Sequence, residues 1–284
     1  MTQRYSLIIA LCISLLTITN DLRVVVTKGS VLYPHERTHL IEWQKQATSL
    51  LTPPRVLKTL MRIQQRPQVR TQLRAFKNLS KHTLTWDLLE KRMAQEKSSR
   101  FYIFAFGSLI NTLSDLNADC QPNINIPGIA FGIKRIYGMT HPQPEHSYIG
   151  LPHPKHEHEQ LRLDTTITGK KTDYANGILL EFTLETPQYE YLKSREQKYN
   201  LVPVKVIDYQ SLLKRPRFHD AYILCGTEQH THADKMPHIA YTTVVIEGAQ
   251  FIEAQGYSGF LPLLLDTTFL PDGKTTLRSW LLAQ

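Results

Sequence analysis

The hydrophobic pattern of the chain changes near residue 100 and divides it into two parts. From about residue 36 to residue 98, apolar positions recur at the three- and four-residue spacing of amphipathic helices. Pro54 and Pro67 interrupt this pattern, and each is placed to begin a helix at its first position, where a missing N–H costs nothing. The first part is therefore predicted to be helical.

From Arg100 onward, short β-branched and aromatic runs alternate with turns. The predicted strands are Phe101–Phe106, Ile129–Tyr137, Gly177–Thr183, Val202–Asp208, Ala221–Cys225 and Tyr241–Ile246. Helices are predicted at Pro187–Lys198 and Gly248–Gly256, and the Pro- and His-rich stretch Thr140–Lys171 is predicted to be a long loop. So few helices among so many strands favour an α+β sheet or small barrel over a doubly wound sheet.

The first residues form an apolar run with one positive charge ahead of it. Arg4 precedes Leu7–Thr19, a run of 13 mostly apolar residues, which is typical of a secretory signal. A membrane span needs about 20 residues, and no A-x-A-like cleavage site follows. Residues 1–20 are thus either a signal peptide or membrane anchor, which places the protein outside the cytoplasm or on a membrane, or a buried first element of a cytoplasmic protein.

Composition fits a globular protein, but its positive charge is unevenly distributed. The 284 residues are 42% hydrophobic and 20% charged, with a net charge of +8. Between Trp43 and Trp86 there is no Asp or Glu, while basic residues recur every three or four positions. This basic stripe comprises Arg55, Lys58, Arg62, Arg66, Arg70, Arg74, Lys77 and Lys81. It is interpreted either as a contact for an anionic surface or as a solvated helix face, and no motif predicts a specific nucleic-acid partner.

Cysteine and histidine give no strong sign of a metal site. Cys12, Cys120 and Cys225 have no C-x-x-C spacing, which argues against a cysteine zinc site, and the last two could pair if the first is removed. Histidines crowd two polar loops, at positions 141, 146, 153, 156 and 158 and at 230, 232 and 238. Their H-x-H pairs lack a hydrophobic frame, so neither a metal nor a cofactor is predicted.

Two segments are candidates for chemistry. The run Phe101–Asn111 (F-Y-I-F-A-F-G-S-L-I-N) stops at Gly107-Ser108, where backbone amides could converge on an anion. Glu196 stands in Y-L-K-S-R-E-Q-K-Y, between a predicted helix and the apolar run V-P-V-K-V. The alternatives are an ordinary strand-to-turn junction for the first segment and a solvated helix carboxylate for the second.

The order of four motifs resembles one known superfamily. F-A-F-G-S-L-I, P-G-I-A-F-G-I-K-R-I-Y-G, G-I-L-L-E-F-T and Y-L-K-S-R-E-Q-K-Y are similar to motifs of the γ-glutamylcyclotransferase superfamily, of ChaC-like or AIG2-like type. The segment Y-T-T-V-V-I-E-G-A-Q, beginning at Tyr241, is similar to a further motif of the superfamily. The resemblance covers about residues 100–268. It implies a mixed small β-barrel with flanking helices from residue 99 to 284, preceded by a basic helical region at 21–98.

The resemblance also implies roles for individual residues. Glu196 would be the general acid/base. The substrate would contact Phe106, Gly107, Ser108, Leu109, Tyr199 and Tyr241. Phe106 stands where the family usually has Tyr, and Lys193 stands where Asp is common. The expected activity is cyclisation of a γ-glutamyl amide, glutathione or another, to 5-oxoproline without a cofactor. The alternative is a non-catalytic binding protein of the same fold that docks through the basic stripe, and the oligomeric state stays open.

Overall fold

A computed structural model describes residues 34–81, 83–112, 119–140, 160–226 and 236–283. The helices are α1 (Pro34–Ser49), α2 (Pro54–Ile63), α3 (Pro67–Ala75), α4 (Trp86–Gln95), α5 (Pro187–Arg195), α6 (Ile239–Ala254), α7 (Phe260–Thr267) and α8 (Leu277–Leu282). The strands are β1 (Arg100–Ala105), β2 (Asn125–Phe131), β3 (Ile133–Thr140), β4 (Gln160–Ile167), β5 (Tyr174–Thr183), β6 (Tyr199–Asp208), β7 (Phe218–Gly226), β8 (Met236–Pro237) and β9 (Thr268–Phe269). The N-terminal apolar run, Cys12 and all the loop histidines except His238 lie outside the described residues.

Five strands close a mixed barrel in the order β1-β5-β2-β6-β7. Neighbouring strands are antiparallel except β1 and β7, which run parallel and complete the closure. A second sheet has the order β8-β4-β3-β9. The prediction of an α+β fold with a small mixed barrel, flanking helices and a helical region before it is therefore confirmed.

One long predicted strand is two strands in the structure. Ile129–Tyr137 is divided at Gly132, whose φ of +80° is a left-handed conformation that glycine adopts readily. The chain bends there, so β2 stays in the barrel while β3 joins the second sheet. A Cβ on Gly132 would also lie 2.6 Å from Leu73 Cδ2, because α3 and the residues after it press against this bend.

Two other sequence predictions were wrong. Tyr241–Ile246 is helical and belongs to α6, which continues through the predicted helix at Gly248 and ends at Ala254. All six residues of that run are buried, and a continuous apolar run cannot be assigned to strand or buried helix by periodicity. Within the predicted loop Thr140–Lys171, residues 160–167 form β4, which pairs with β3.

The helices before the barrel pack directly on it. α2 and α3 begin at Pro54 and Pro67, as the sequence predicts. Gln72 joins α3 to two barrel strands, because its amide nitrogen donates to Phe131 O (2.7 Å) and its amide oxygen accepts from Lys205 N (2.7 Å). The predicted boundary near residue 98 is a sequence-based division and stays a prediction.

Two sequence-level questions are answered in part. Cys120 and Cys225 are both free thiols, so these two do not form a disulfide. In the parts of the chain that the structure describes, no helix is both long enough and apolar enough to cross a bilayer.

Candidate active site

Glu196 lies at the junction of α5 and β6, immediately after the last helical residue. Its backbone is fixed on both sides, because its N–H donates to Leu192 O (2.9 Å) and its carbonyl accepts from Tyr199 N (3.0 Å). The indole Nε1 of Trp86, at the start of α4, also donates to the Glu196 carbonyl (3.2 Å). A helix end and a strand start thus hold this carboxylate at one point, instead of leaving it on a solvated helix face.

The Glu196 side chain is buried, and burial disfavours its charged form. The residue is only 8% exposed. Burial raises its pKa above the ordinary value of 4.5, while the charge and hydrogen bond of Arg195 oppose that rise. Arg195 Nε lies 3.0 Å from Glu196 Oε1. The carboxyl group is therefore a better proton acceptor than an exposed glutamate and still has a cation beside it.

Arg195 connects Glu196 to the Gly-Ser segment. Its Nη2 donates to Ser108 Oγ at 3.0 Å, while its Nε faces Glu196. One guanidinium therefore joins two segments that are far apart in the sequence, since Arg195 and Ser108 are separated by 87 positions. The structure brings together the acid and the Gly-Ser turn that the sequence singles out.

The turn from Gly107 to Asn111 is packed closely against α6. The Ser108 N–H donates to Tyr241 Oη (3.3 Å), so this amide already has a partner in the structure. A Cβ on Gly107 would lie 2.5 Å from the same hydroxyl oxygen. Glycine is thus required at this position by the close approach of Tyr241, and Gly107, Ser108 and Tyr241 form one contact group.

The other predicted substrate-binding residues take different positions. The side chains of Phe106 and Leu109 are buried in the hydrophobic core, and Phe106 presents its carbonyl to the guanidinium of Arg135 (3.2 Å). Tyr199 is half-buried, and its hydroxyl donates to Met139 Sδ (2.7 Å). Phe106 and Leu109 therefore anchor the turn in the core. Of these three residues, only Tyr199 has a polar side-chain group, and it lies near the end of β3.

A buried thiol lies within the electrostatic range of the same pair. Burial raises the pKa of Cys120 to about 12, Arg195 lowers it, and Glu196 raises it. The thiol therefore stays protonated at neutral pH and is a poor nucleophile. Among the described residues, no group of three or more His, Cys, Asp or Glu side chains is arranged to hold a metal ion.

Sequence reasoning found Glu196 and the Gly-Ser turn, but it missed Trp86, Arg135 and one contact of Arg195. The sequence suggests Arg195 as a cationic partner of Glu196, and the two do form an ion pair, but the bond of Arg195 to Ser108 depends on the tertiary structure. Trp86 lies in the helical region, where no sequence signal connects it to Glu196. Arg135 belongs to the quoted motif P-G-I-A-F-G-I-K-R-I-Y-G, yet its contact with Phe106 could not be read from that motif.

No known family model matches the chain. No curated protein matches it either. Among solved structures, it is similar to YkqA from Bacillus subtilis at 16% identity and a TM-score of 0.40, over 57% of this chain and 52% of that one. The chain thus spans about half the length of that protein.

Two further similar structures are named as cyclotransferases. One is a γ-glutamyl cyclotransferase, at 14% identity and a TM-score of 0.39, over 55% of this chain and 85% of that one. The other is a yeast γ-glutamyl cyclotransferase specific to glutathione, at 15% identity and a TM-score of 0.36, over 60% and 96%. These two carry the name of the superfamily that the motifs resemble. Likenesses of this size assign no activity, so the functional proposal rests on the geometry of the site.

Proposed function

We propose that this protein cyclises γ-glutamyl amides to 5-oxoproline and releases the amine. One observation carries the proposal: a buried carboxylate of raised pKa, Glu196, is joined by a single guanidinium to Ser108 of the Gly-Ser turn. The order of motifs around both segments, which resembles that of the γ-glutamylcyclotransferase superfamily, supports the same reaction.

The reaction needs little beyond conformation and proton transfer. The α-amino nitrogen of the γ-glutamyl group attacks its own side-chain carbonyl carbon, and a new C–N bond closes a five-membered lactam. The original amide C–N bond then breaks, and the departing nitrogen takes up a proton. Because the attack is intramolecular, holding the bent conformer supplies a large part of the acceleration.

Glu196 is suited to both proton transfers. The substrate's α-ammonium must lose a proton before attack, and the leaving amine must gain one afterwards. A carboxylate with a raised pKa accepts the first proton more readily than an exposed one, and it can return that proton in the second step. Arg195 favours the charged form of this carboxylate, because its cation opposes the effect of burial.

The Gly107–Leu109 turn is proposed to hold the substrate opposite Glu196. Gly107 lets Tyr241 approach the backbone closely, since a Cβ at this position would lie 2.5 Å from the tyrosine hydroxyl oxygen. Tyr241 fixes the turn from the other side through its bond to Ser108 N–H. Polar groups of the turn that are already fixed in place can stabilise the charge that develops on the substrate's carbonyl oxygen, because they need not reorganise during the reaction.

The direct test is an assay of the purified chain against a panel of γ-glutamyl compounds. The panel contains glutathione, γ-glutamyl amino acids and γ-glutamyl amines, with α-glutamyl dipeptides as controls, and 5-oxoproline is quantified by mass spectrometry. We expect 5-oxoproline and an equimolar amine from at least one γ-glutamyl compound and none from the α-glutamyl controls. The proposal is wrong if no compound yields more 5-oxoproline with the parent protein than with Glu196→Gln.

A further inference from the structure

The outer face of α2 carries two apolar side chains, Leu57 and Met61, that are exposed in the described structure. Val56, Leu60 and Ile63 point inward and are buried in the core. On an adjacent side of the helix, Leu57 is 39% exposed and Met61 is 67% exposed. These two residues are four apart and therefore lie on the same side of the helix, one turn from each other.

Cations lie directly beside these apolar side chains. Arg55, Lys58 and Arg62 are all exposed, and Lys58 and Arg62 follow Leu57 and Met61 by one position each. Within the described part of the chain, no member of the basic stripe from Arg55 to Lys77 forms an ion pair with a carboxylate. The surface thus combines exposed apolar groups with cationic charge that no acid of the described residues neutralises.

We infer that the outer face of α2 docks on an anionic lipid bilayer. A helix with long basic side chains and exposed Leu and Met on one face lies in the headgroup region, where the apolar groups enter the acyl boundary and the cations meet lipid phosphates. Nucleic acid is the less suitable partner, because single strands are bound by stacking on aromatic side chains and this face has none. The membrane is therefore the surface that fits both properties of α2.

Cosedimentation of the full chain with vesicles tests this inference. Vesicles of phosphatidylcholine alone are compared with vesicles that also contain phosphatidylserine, at low and at high salt. Each Lys or Arg near an anionic surface contributes about fivefold to binding, so Arg55→Gln/Lys58→Gln/Arg62→Gln should weaken it by about 100-fold. Leu57→Ser/Met61→Ser should weaken it by about tenfold or more, because its effect comes from lost apolar insertion.

Matched controls separate α2 from general charge and general hydrophobicity. Lys170→Gln/Lys171→Gln/Lys214→Gln removes the same charge from other exposed positions. Ile41→Ser/Leu282→Ser removes two apolar side chains that are 50% and 53% exposed. Both controls should keep most of the binding. Equal losses in the controls, no binding to phosphatidylserine vesicles at low salt, or RNA binding that Leu57→Ser/Met61→Ser leaves unchanged would each overturn the inference.

A second, independent observation concerns Arg135 on β3, which is fully buried. Its guanidinium donates six hydrogen bonds of 2.8–3.4 Å, all to uncharged acceptors. The acceptors are carbonyl oxygens of Phe106, Asn176 and Leu264 and side-chain oxygens of Asn176, Thr267 and Thr268. No carboxylate of the described residues pairs with it, so none of these acids neutralises its positive charge.

This charge lies directly behind the Gly-Ser turn. Phe106, whose carbonyl accepts from Arg135 Nη1, is the residue before Gly107. Tyr241, whose hydroxyl accepts from Ser108 N–H, lies within electrostatic range of the same guanidinium. Burial lowers the pKa of Arg135 to about 9, so the side chain remains a cation at neutral pH.

We propose that Arg135 is a positioning residue that fixes the Gly107–Leu109 turn and makes it attractive to the α-carboxylate of a γ-glutamyl substrate; this inference rests on the proposed function. A buried charge acts through a medium of low dielectric constant, so its field reaches a ligand that it does not touch. Burying a cation without an anionic partner has an unfavourable desolvation free energy, and a bound carboxylate would offset part of it.

The test measures equilibrium binding, so it does not depend on turnover. The affinities of 5-oxoproline and of its uncharged amide are measured by calorimetry for the parent chain, Arg135→Lys and Arg135→Met. The parent should prefer the carboxylate by tenfold or more, Arg135→Lys should keep most of that preference, and Arg135→Met should lose it. A residue with a merely structural role would weaken both ligands equally.

The outcomes distinguish this inference from the proposed function. The parent protein could bind 5-oxoproline more tightly than its amide and yet produce no 5-oxoproline from any γ-glutamyl compound. In that case the proposed reaction is wrong, while the inferred preference for a carboxylate is supported. If Arg135→Met does not fold, as judged by circular dichroism, Arg135→Lys alone decides, because it keeps the charge and loses the forked geometry. A lack of preference in the parent or in Arg135→Lys, or a preference that survives in folded Arg135→Met, would overturn the inference.

Discussion

Two consecutive residues, Arg195 and Glu196, hold opposite charges in a buried place and give the candidate site its chemistry. Burial and the guanidinium act on the carboxylate in opposite directions, and burial has the larger effect. Arg195 also donates to Ser108, so one side chain contacts both the carboxylate and the turn. Three predictions follow at the residue scale: one on turnover, one on the pH dependence of activity and one on the pH dependence of stability.

Glu196→Gln should abolish most turnover and leave binding nearly unchanged. Glutamine keeps the size of the side chain but cannot accept the proton, and general acid-base catalysis contributes about 10²–10⁴-fold. We expect kcat to fall by about that factor in the 5-oxoproline assay. Glu190→Gln is the matched control, because Glu190 is an exposed carboxylate of the same helix, α5. Full activity in Glu196→Gln, or its loss in Glu190→Gln, contradicts the assignment.

The pH dependence of kcat/KM should report the raised pKa of Glu196. Only the ionised carboxylate accepts a proton, so activity should rise with pH through a midpoint above the ordinary value of 4.5. Arg195→Met should move this midpoint to higher pH, because the cation that opposes the effect of burial is gone. Lys193→Met should not move it, since Lys193 pairs with Glu90 (2.7 Å) on the neighbouring helix.

The same group makes stability depend on pH in a defined direction. A carboxyl group whose folded pKa is raised stabilises the protein fully below its unfolded pKa of about 4.5 and loses that contribution as pH rises through the folded value. Glu196→Gln should remove this part of the pH dependence. Urea unfolding of the parent and the variant between pH 4 and pH 8 measures the difference, and identical pH profiles would contradict it.

At the scale of elements, the turn after β1 and helix α6 form one unit through Gly107 and Tyr241. Gly107→Ala should displace the Tyr241 hydroxyl, because the new Cβ would lie 2.5 Å from it, and should cost about 1–3 kcal/mol of stability. Adding Tyr241→Phe removes the obstructing oxygen, so the double variant should recover part of that loss. Denaturant unfolding of both single variants and the double variant gives the coupling, and strict additivity would argue against this contact.

The bend between β2 and β3 also depends on a single glycine, Gly132. Gly132→Ala introduces both an unfavourable positive φ and a clash with Leu73 and Phe76. Gly256 is the matched control, since its φ is +96° and a Cβ there meets nothing within 4 Å. Gly132→Ala should therefore destabilise the protein by about 1–3 kcal/mol more than Gly256→Ala, as measured by thermal or urea unfolding. Equal effects would show that packing contributes nothing.

The sequence predicted structural features that depend on local chemistry, but it did not predict contacts between segments that are distant in the chain. Pro54 and Pro67 mark helix starts because proline lacks the N–H that a first turn leaves unused. The buried run Tyr241–Ile246 carried no periodicity, so its helical state could not be distinguished from a strand. Glu196 and the Gly-Ser turn were found through their motifs, whereas the bridge of Arg195 and the charge of Arg135 depend on how the barrel closes.

At the scale of the whole molecule, the helices before residue 99 and the end of the chain belong to one packed structure. Arg278 on α8 donates to carbonyl oxygens of Ala47 and Leu50 at the end of α1, the latter at 2.7 Å. Arg278 also contacts Asp266 of α7, whose carboxylate accepts from Thr52 Oγ1 (2.8 Å). The first helices are thus tied to the last ones across the length of the sequence.

Residues 99–284 expressed alone should be less stable than residues 34–284 and should have a weakened site. The shorter chain loses Gln72 and Trp86, which bond to the barrel and to Glu196, and it exposes the apolar surface that α1–α4 cover. Thermal unfolding and 5-oxoproline production by the two chains measure both losses. Equal melting temperatures would show that the helical region is a separable accessory.

The hydrogen bond from Trp86 to the Glu196 carbonyl has an optical consequence. Indole emission responds to the polarity and hydrogen bonding around its ring. Trp86 is therefore a natural fluorophore in direct contact with Glu196, the proposed proton carrier. With Trp43 and Trp280 changed to Phe, the protein would keep a single emitter out of its three tryptophans. Its spectrum would then follow the arrival of a ligand in real time, with no dye attached and no need to know the product.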